Sequence, residues 1–306
     1  MLTKKNTLHV QIQGGDMIKK INILISLLVV LSVGSVFSCD IDGQTGFMPE
    51  NDLYVGVHAK TRSTMTKETF NAIIDRVDQH YSPIVKKRGG KLKWARKWDD
   101  GTVNASAQRF LTTYKVNMYG GLARHELVTD DAFAMVVCHE LGHHLAGAPK
   151  VGGILMKWAS NEGQSDYFAS LKCFRRSFES DDNEAIIAQM KVPALVSKKC
   201  NDNYSDANDA ALCVRISLAG KSLARLLGSL RGTAKLEFNT PDANIVNTTI
   251  NTHPAAQCRL DTYFRGSLCD RRISDDVSSK DPKAGTCNRD QGYTDGVRPL
   301  CWFKPE

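Results

Sequence analysis

The chain has 306 residues, of which 42% are hydrophobic and 24% charged, enough for one substantial core or a core with an appendage. Its formal charge is +7, but four lysines and one aspartate fall in residues 1–38, which leaves 36 basic against 32 acidic residues, or +4, beyond them. So mild an excess calls for no nucleic-acid partner, and none is expected; no internal repeat is evident.

The chain opens with export signals. Lys19-Lys20 precedes an apolar stretch from Ile21 to Phe37, and Ser38-Cys39 follows. A short basic region, an apolar core and a small residue before the cut describe a secretory signal peptide over 1–38. As a membrane-spanning helix the stretch would be short and only moderately apolar. Met17 makes a more usual signal start than Met1, so residues 1–16 are expected to be an over-extended start. Val36-Phe37-Ser38-Cys39 resembles a bacterial lipobox, in which the cysteine becomes a lipidated N-terminus; cleavage without lipid is the alternative. The expected location is the bacterial periplasm, with the membrane as partner through a lipid anchor at Cys39.

Lys67 to His80 has helical spacing, with Phe70, Ile73, Ile74 and Val77 on one face. A basic cluster from Lys86 to Lys97, interleaved with Trp94 and Trp98, reads as a solvated face. Alternating and aromatic stretches near 90–120 predict strands. A helix follows over 130–146, capped by Thr129 or Asp130 and stopped by Gly147 and Pro149. It carries Cys138-His139-Glu140-Leu141-Gly142-His143-His144. Two histidines four apart project from one helical face and can bind one zinc ion, while Glu140 between them points at the water such a metal would hold. Cys138 lies about 100° round the helix from His139, so it reads as a structural thiol or disulfide and not a ligand.

A second helix is predicted over 161–175, capped by Ser160 or Asn161. On it Glu162 and Asp166 share a face: Glu162 can complete a His, His, Glu ligand set, and Asp166 can accept the ring N–H of a ligand histidine. His-Glu-x-x-His, followed about twenty residues on by Asn161-Glu162-x-x-Ser165-Asp166, resembles the gluzincin metallopeptidases, of which thermolysin is the familiar member. That resemblance implies zinc as cofactor, Glu162 as the third ligand and Asp166 supporting His139. Asn117-Met118-Tyr119-Gly120-Gly121 is similar to the edge strand of the gluzincin family that includes the CaaX prenyl endopeptidases and the bacterial envelope quality-control peptidases. His253-Pro254 with Arg259 matches that family's His-Pro-x-x-x-x-Arg element. It implies His253 as an oxyanion donor or a gate over the zinc, and Arg259 as a holder of the loop or of the third-ligand helix. Tyr263 is an outside alternative to His253. The resemblance spans about residues 110–175 and 250–265, without the membrane helices of its embedded relatives.

Further along, Glu184 to Met190 and Ala210 to Leu230 read as helices, Asn201 to Asp209 and Ser274 to Thr286 as loops. Of nine cysteines, Cys39 falls at the lipobox and eight remain, an even number that suits disulfides in an exported protein. Cys200–Cys213, Cys258–Cys269 and Cys287–Cys301 are the short-loop possibilities, among 105 pairings of eight cysteines.

The expected fold is α+β: a mainly helical zincin-type domain over 39–306, with a small antiparallel sheet and a C-terminal disulfide-rich region. The expected function is a zinc metalloendopeptidase whose partner is a protein or peptide substrate, lying extended beside Tyr119-Gly120-Gly121. His139, His143 and Glu162 hold the metal, and Glu140 and His253 act in catalysis. The rivals are a non-catalytic zinc-containing envelope scaffold or chaperone-like lipoprotein, and an inert disulfide-rich lipoprotein with no metal.

Overall fold

A computed structural model of the protein describes residues 46–151, 157–233 and 235–305. The expected signal peptide and Cys39 lie outside these residues. Among the described residues no helix is long and apolar enough to cross a membrane. The fold is α+β, as expected, with a small sheet, a helical majority and four disulfides.

The first helix, α1 (Lys67–Lys87), is capped by the Thr66 hydroxyl, which accepts from the Thr69 amide. It runs past the expected end at His80 and through Pro83, because Tyr81 and Val85 continue its buried face. Then come β1 (Lys91–Lys97), β2 (Ala105–Phe110) and β3 (Thr113–Tyr119). The sheet is mixed where an antiparallel one was expected: β2 pairs antiparallel with β3, but β1 pairs parallel with it, from Lys91 opposite Thr113 to Lys97 opposite Tyr119. A tight turn at Leu111-Thr112 fixes the β2–β3 hairpin, and residues 98–104 carry the chain from β1 across to the other side of β3. Consequently β3, which contains Asn117-Met118-Tyr119, is the central strand and not the edge. The edges are β1, whose exposed lysines and Arg96 form the solvated face, and β2.

The helix α2 (Asp130–Leu145) packs beside α1 and against β2 and β3, while α1 packs on β1; α2 is buried on every side from Ala132 to Leu145. A two-strand ladder, β4 (Lys150–Val151) with β5 (Ala159–Ser160), leads to α3 (Glu162–Phe168). The helix continues through a π-helical turn, Ala169–Cys173, to Phe178. Next are α4 (Ala194–Asn203), α5 (Ala207–Ser229) and α6 (Ala256–Leu268). The expected loop at 201–209 is mostly helix: Asn201 to Asn203 end α4, and the Asp206 carboxylate caps α5 at the Asp209 amide. Polar composition there marks a cap, not a loop.

The disulfides are Cys138–Cys173, Cys200–Cys213, Cys258–Cys301 and Cys269–Cys287. Cys138 is thus a structural disulfide, and the expected Cys200–Cys213 bridge is present. The other two short-loop possibilities, Cys258–Cys269 and Cys287–Cys301, are not formed: α6 holds Cys258 and Cys269 at its two ends, too far apart to join. Each pairs instead with the C-terminal segment folded beside it, so the smaller of these loops nests within the larger.

Candidate metal centre

Three elements bring the expected ligands together. On α2 the helical repeat places His139, Glu140 and His143 on the side facing α3; none is more than 2% exposed, and ligand atoms of the three lie within 4.8 Å of one another. The helix is held from both ends. Thr129 caps the Ala132 amide, Asp131 is paired with Arg215 at 2.7 Å, and Cys138 is bonded across to the π-helical turn. Asn161 caps α3 at the Gln164 amide and ties it to the Ile250 carbonyl, while Gln164 reaches back to the Ala146 carbonyl at the end of α2. Glu162 thereby faces both histidines.

The histidine tautomers follow from their partners. His139 Nδ1 donates to Asp166 Oδ1 at 2.7 Å, and His143 Nδ1 donates to the Ser160 carbonyl at 2.8 Å. In the neutral form of each ring Nε2 is therefore the lone-pair nitrogen. His139 Nε2 lies 3.2 Å from Glu162 Oε2, and His143 Nε2 lies 3.5 Å from Glu162 Oε1. Between a lone-pair nitrogen and a carboxylate oxygen there is no hydrogen bond, and His139 Nε2 and Glu162 Oε2 are both buried without one. Two such acceptors repel unless a cation lies between them. Two imidazole nitrogens and a carboxylate are a donor set that suits zinc, so the residues fit the metal. A proton competes for the same place: burial depresses His139, but Asp166 and then Glu162 overcome it and push it up to about 9. Burial pushes His143 down to about 4. Burial opposes ionisation of Glu162, yet His253, His143 and His139 together hold its carboxyl well below the ordinary range.

Glu140 is wholly buried, and neither carboxylate oxygen has a hydrogen-bond partner. Burial is the main cause that pushes it up to about 8, against the opposing charge of His139. A carboxylate buried without donors has no evident structural task.

Behind His139 lies a dense polar cluster. Arg259 donates from Nε to Asp166 Oδ2 and from Nη2 to Oδ1, both at 2.7 Å, and the Tyr263 hydroxyl donates to Oδ1 at 2.5 Å. Burial would raise Asp166, but Arg259 and then His139 hold it below its ordinary value. Arg259 is thus tied through Asp166 to α3, the helix that carries Glu162. Tyr263, the outside alternative as oxyanion donor, is committed to Asp166 on the side of His139 away from Glu162. His253 is nearer to the centre: its Nε2 lies 3.5 Å from Glu162 Oε2 and donates to the Gly46 carbonyl at 2.9 Å.

Two contributors carry no sequence signal of their own. Ser160 acts through its backbone carbonyl, which any residue could supply. Phe47 sets its ring edge-on to His139, with centroids 5.1 Å apart, and its carbonyl accepts from Arg259 Nη1 at 2.8 Å. It lies far from the motifs in sequence, and only the tertiary fold brings it here. Comparison of the chain with protein-family models, curated proteins and solved structures gives no match, so the chemistry of the centre is argued from its own geometry.

Proposed function

We propose that the protein is a zinc-dependent endopeptidase of the gluzincin type that hydrolyses peptide bonds of envelope or extracellular proteins. The observation that carries this is the convergence of His139, His143 and Glu162 with Asp166 behind the first histidine. These three side chains would hold the metal. Bound zinc supplies Lewis acidity and brings the pKa of a water toward neutrality.

Glu140 takes the proton of the attacking water and returns it to the leaving amine. Burial raises the proton affinity of this carboxyl, the direction that lets it take up and hand on a proton. Asp166 keeps the His139 proton on Nδ1 and so keeps Nε2 for the metal; Arg259 and Tyr263 fix Asp166 in turn. His253, beside Glu162, is the donor to the carbonyl oxygen as it gains charge, once it leaves Gly46. The substrate lies along the outer edge of β2, the edge strand that packs on α2, and not along β3, whose two sides are both paired. Export and a lipid anchor at Cys39 remain part of the proposal on sequence grounds.

The second reading is a non-catalytic zinc-containing envelope scaffold or chaperone-like lipoprotein. One observation favours it: His139 and Glu140 are 0% exposed, so no peptide reaches them in this conformation. Glu140 weighs against it, because a structural site needs no base. The test measures bound zinc and casein cleavage for wild type and Glu140→Gln. One zinc in each, with cleavage lost by more than about a hundredfold in Glu140→Gln, is the expected result. Equal cleavage by both would refute the mechanism.

A further inference from the structure

The segment from Gly46 to Met48 lies where the substrate is expected. The Phe47 amide donates to the Ala105 carbonyl at 2.9 Å, on the outer edge of β2. The Asn104 side-chain amide brackets the next residue, accepting from the Met48 amide at 3.0 Å and donating to its carbonyl at 3.2 Å. On the other side, His253 donates to the Gly46 carbonyl and Arg259 to the Phe47 carbonyl, while the Phe47 ring rests on His139. A bent stretch of backbone thus spans from the edge strand to the His-Pro element, with an aromatic side chain against His139. Phe47 and Met48 are 0% exposed, and the chain surfaces again at Glu50.

We infer that this segment is an autoinhibitory strap, a part of the chain that fills the substrate cleft and must leave before a peptide can enter. The inference rests on the peptidase reading and names how that site is regulated. Glu140 and the ligands are sealed, so something must move, and the strap is held by non-covalent contacts alone. The four disulfides close loops that begin at Cys138 or later, and the strap belongs to none of them. Beside it a cleft of about 310 Å³ runs between Pro49 and Asn51 on one wall and His253 and Pro254 on the other, a ready path for its withdrawal. The occupant imitates a substrate in kind: its amide and carbonyl groups meet the edge strand and the donors His253 and Arg259. When it withdraws, His253 loses its bond to the Gly46 carbonyl.

Gly46 offers a way to expel the strap without touching a ligand. It sits at φ 92°, and a Cβ there would come within 2.3 Å of the Ala105 carbonyl oxygen and 2.5 Å of Asn104 Oδ1. Gly46→Val in the full chain should therefore displace it. The first readout is the rate at which a chelator strips zinc from the loaded protein, which does not depend on activity. Gly46→Val is expected to lose zinc more than about tenfold faster than wild type, and to cleave casein more than about tenfold faster. A synthetic peptide of residues 44–50 should restore the slow rates.

Should Gly46→Val not fold, hydrogen exchange of wild type decides: the Phe47 amide should open far more often than the core of α2, and at the rate of zinc release. Rates in a folded Gly46→Val equal to those of wild type, or a Phe47 amide that exchanges only on global unfolding, would overturn the strap. Faster zinc release with no Glu140-dependent cleavage would instead uphold the strap and sink the peptidase reading.

Discussion

Asp166→Asn keeps the shape of the side chain and removes its charge, and two separable losses follow. Asp166 accepts four hydrogen bonds, from His139, two nitrogens of Arg259, and Tyr263. An asparagine keeps one oxygen and puts an N–H donor where the other stood, so the donors to the lost oxygen are left without an acceptor. One of them belongs to Arg259, which is 1% exposed and has no other carboxylate at hydrogen-bond distance. A buried charge that loses its partner costs about 3–5 kcal/mol. Independently, His139 loses the carboxylate that fixes its tautomer and raises its basicity, which should weaken zinc binding by about 10–100-fold.

Arg259→Met in the same chain separates the two losses. The double variant has no unpaired guanidinium, so it should recover about 2 kcal/mol or more of the sum of the single losses. Its zinc affinity should stay as low as that of Asp166→Asn. Urea denaturation of the zinc-free proteins reads the first effect, and competition against a chromophoric chelator reads the second. Zinc bound by Asp166→Asn within about twofold of wild type would refute the assignment of Asp166 as the partner of a ligand histidine.

Other parts of the fold give further expectations. Replacing Cys138 and Cys173 together by serine opens a loop of 35 residues and should cost about 3–4 kcal/mol of stability, read by urea melts. It should also raise the zinc dissociation constant, since that bridge joins the helix of His139 to the helix of Glu162. Asp181 is bonded by Arg76 and by Arg215 at 2.7 Å; burial opposes ionisation, but the two guanidinium groups hold its carboxyl below the ordinary value. A depressed folded pKa gives stability that is present above the unfolded value near 4 and lost as pH falls through the folded one. Asp181→Asn should therefore cost about 2 kcal/mol at pH 7, with the difference from wild type vanishing toward pH 2. A difference that stays constant with pH would show that charge is not the cause. Gly163→Ala should cost about 1–3 kcal/mol or more, because its Cβ would fall 2.3 Å from the fully buried Trp302 ring. Trp302→Leu in the same chain should relieve part of that cost in the same melts.

What could be read in the sequence was what one helix or one short motif sets by itself. His139 and His143 share a face because they are four apart on a helix whose cap and stop are local, and Glu162 and Asp166 share a face for the same reason. Arg259 and His253 were found through a short motif, though its partners Asp166 and Gly46 lie far away in sequence. The strand order was missed because it depends on where residues 98–104 lead the chain, which no alternation of side chains records. Tyr119-Gly120-Gly121 has the composition expected of an edge, but both sides of Tyr119's strand were already taken. The pairing of Cys258 and Cys269 failed likewise: closeness in sequence favours their union only if no helix stands between them, and α6 was not foreseen. The strap left no mark at all, since its bonds run almost entirely through backbone atoms.

The nesting of Cys269–Cys287 inside Cys258–Cys301 sets a problem of timing. Under the proposed export, a chain threaded across a membrane from its N-terminus delivers Cys258 and Cys269 to the oxidant before either true partner arrives. While α6 is unformed, the short loop between them closes fastest. That early bridge must be reopened by a thiolate through a mixed disulfide before α6 can form. The delay reaches the metal, because Cys258–Cys301 seats Trp302 against Gly163, next to Glu162. On the proposed export and metal binding, the yield of metal-competent protein would thus depend on disulfide isomerisation as well as on oxidation. A host with a strong thiol oxidase and no isomerase would accumulate a fully oxidised chain that binds zinc poorly.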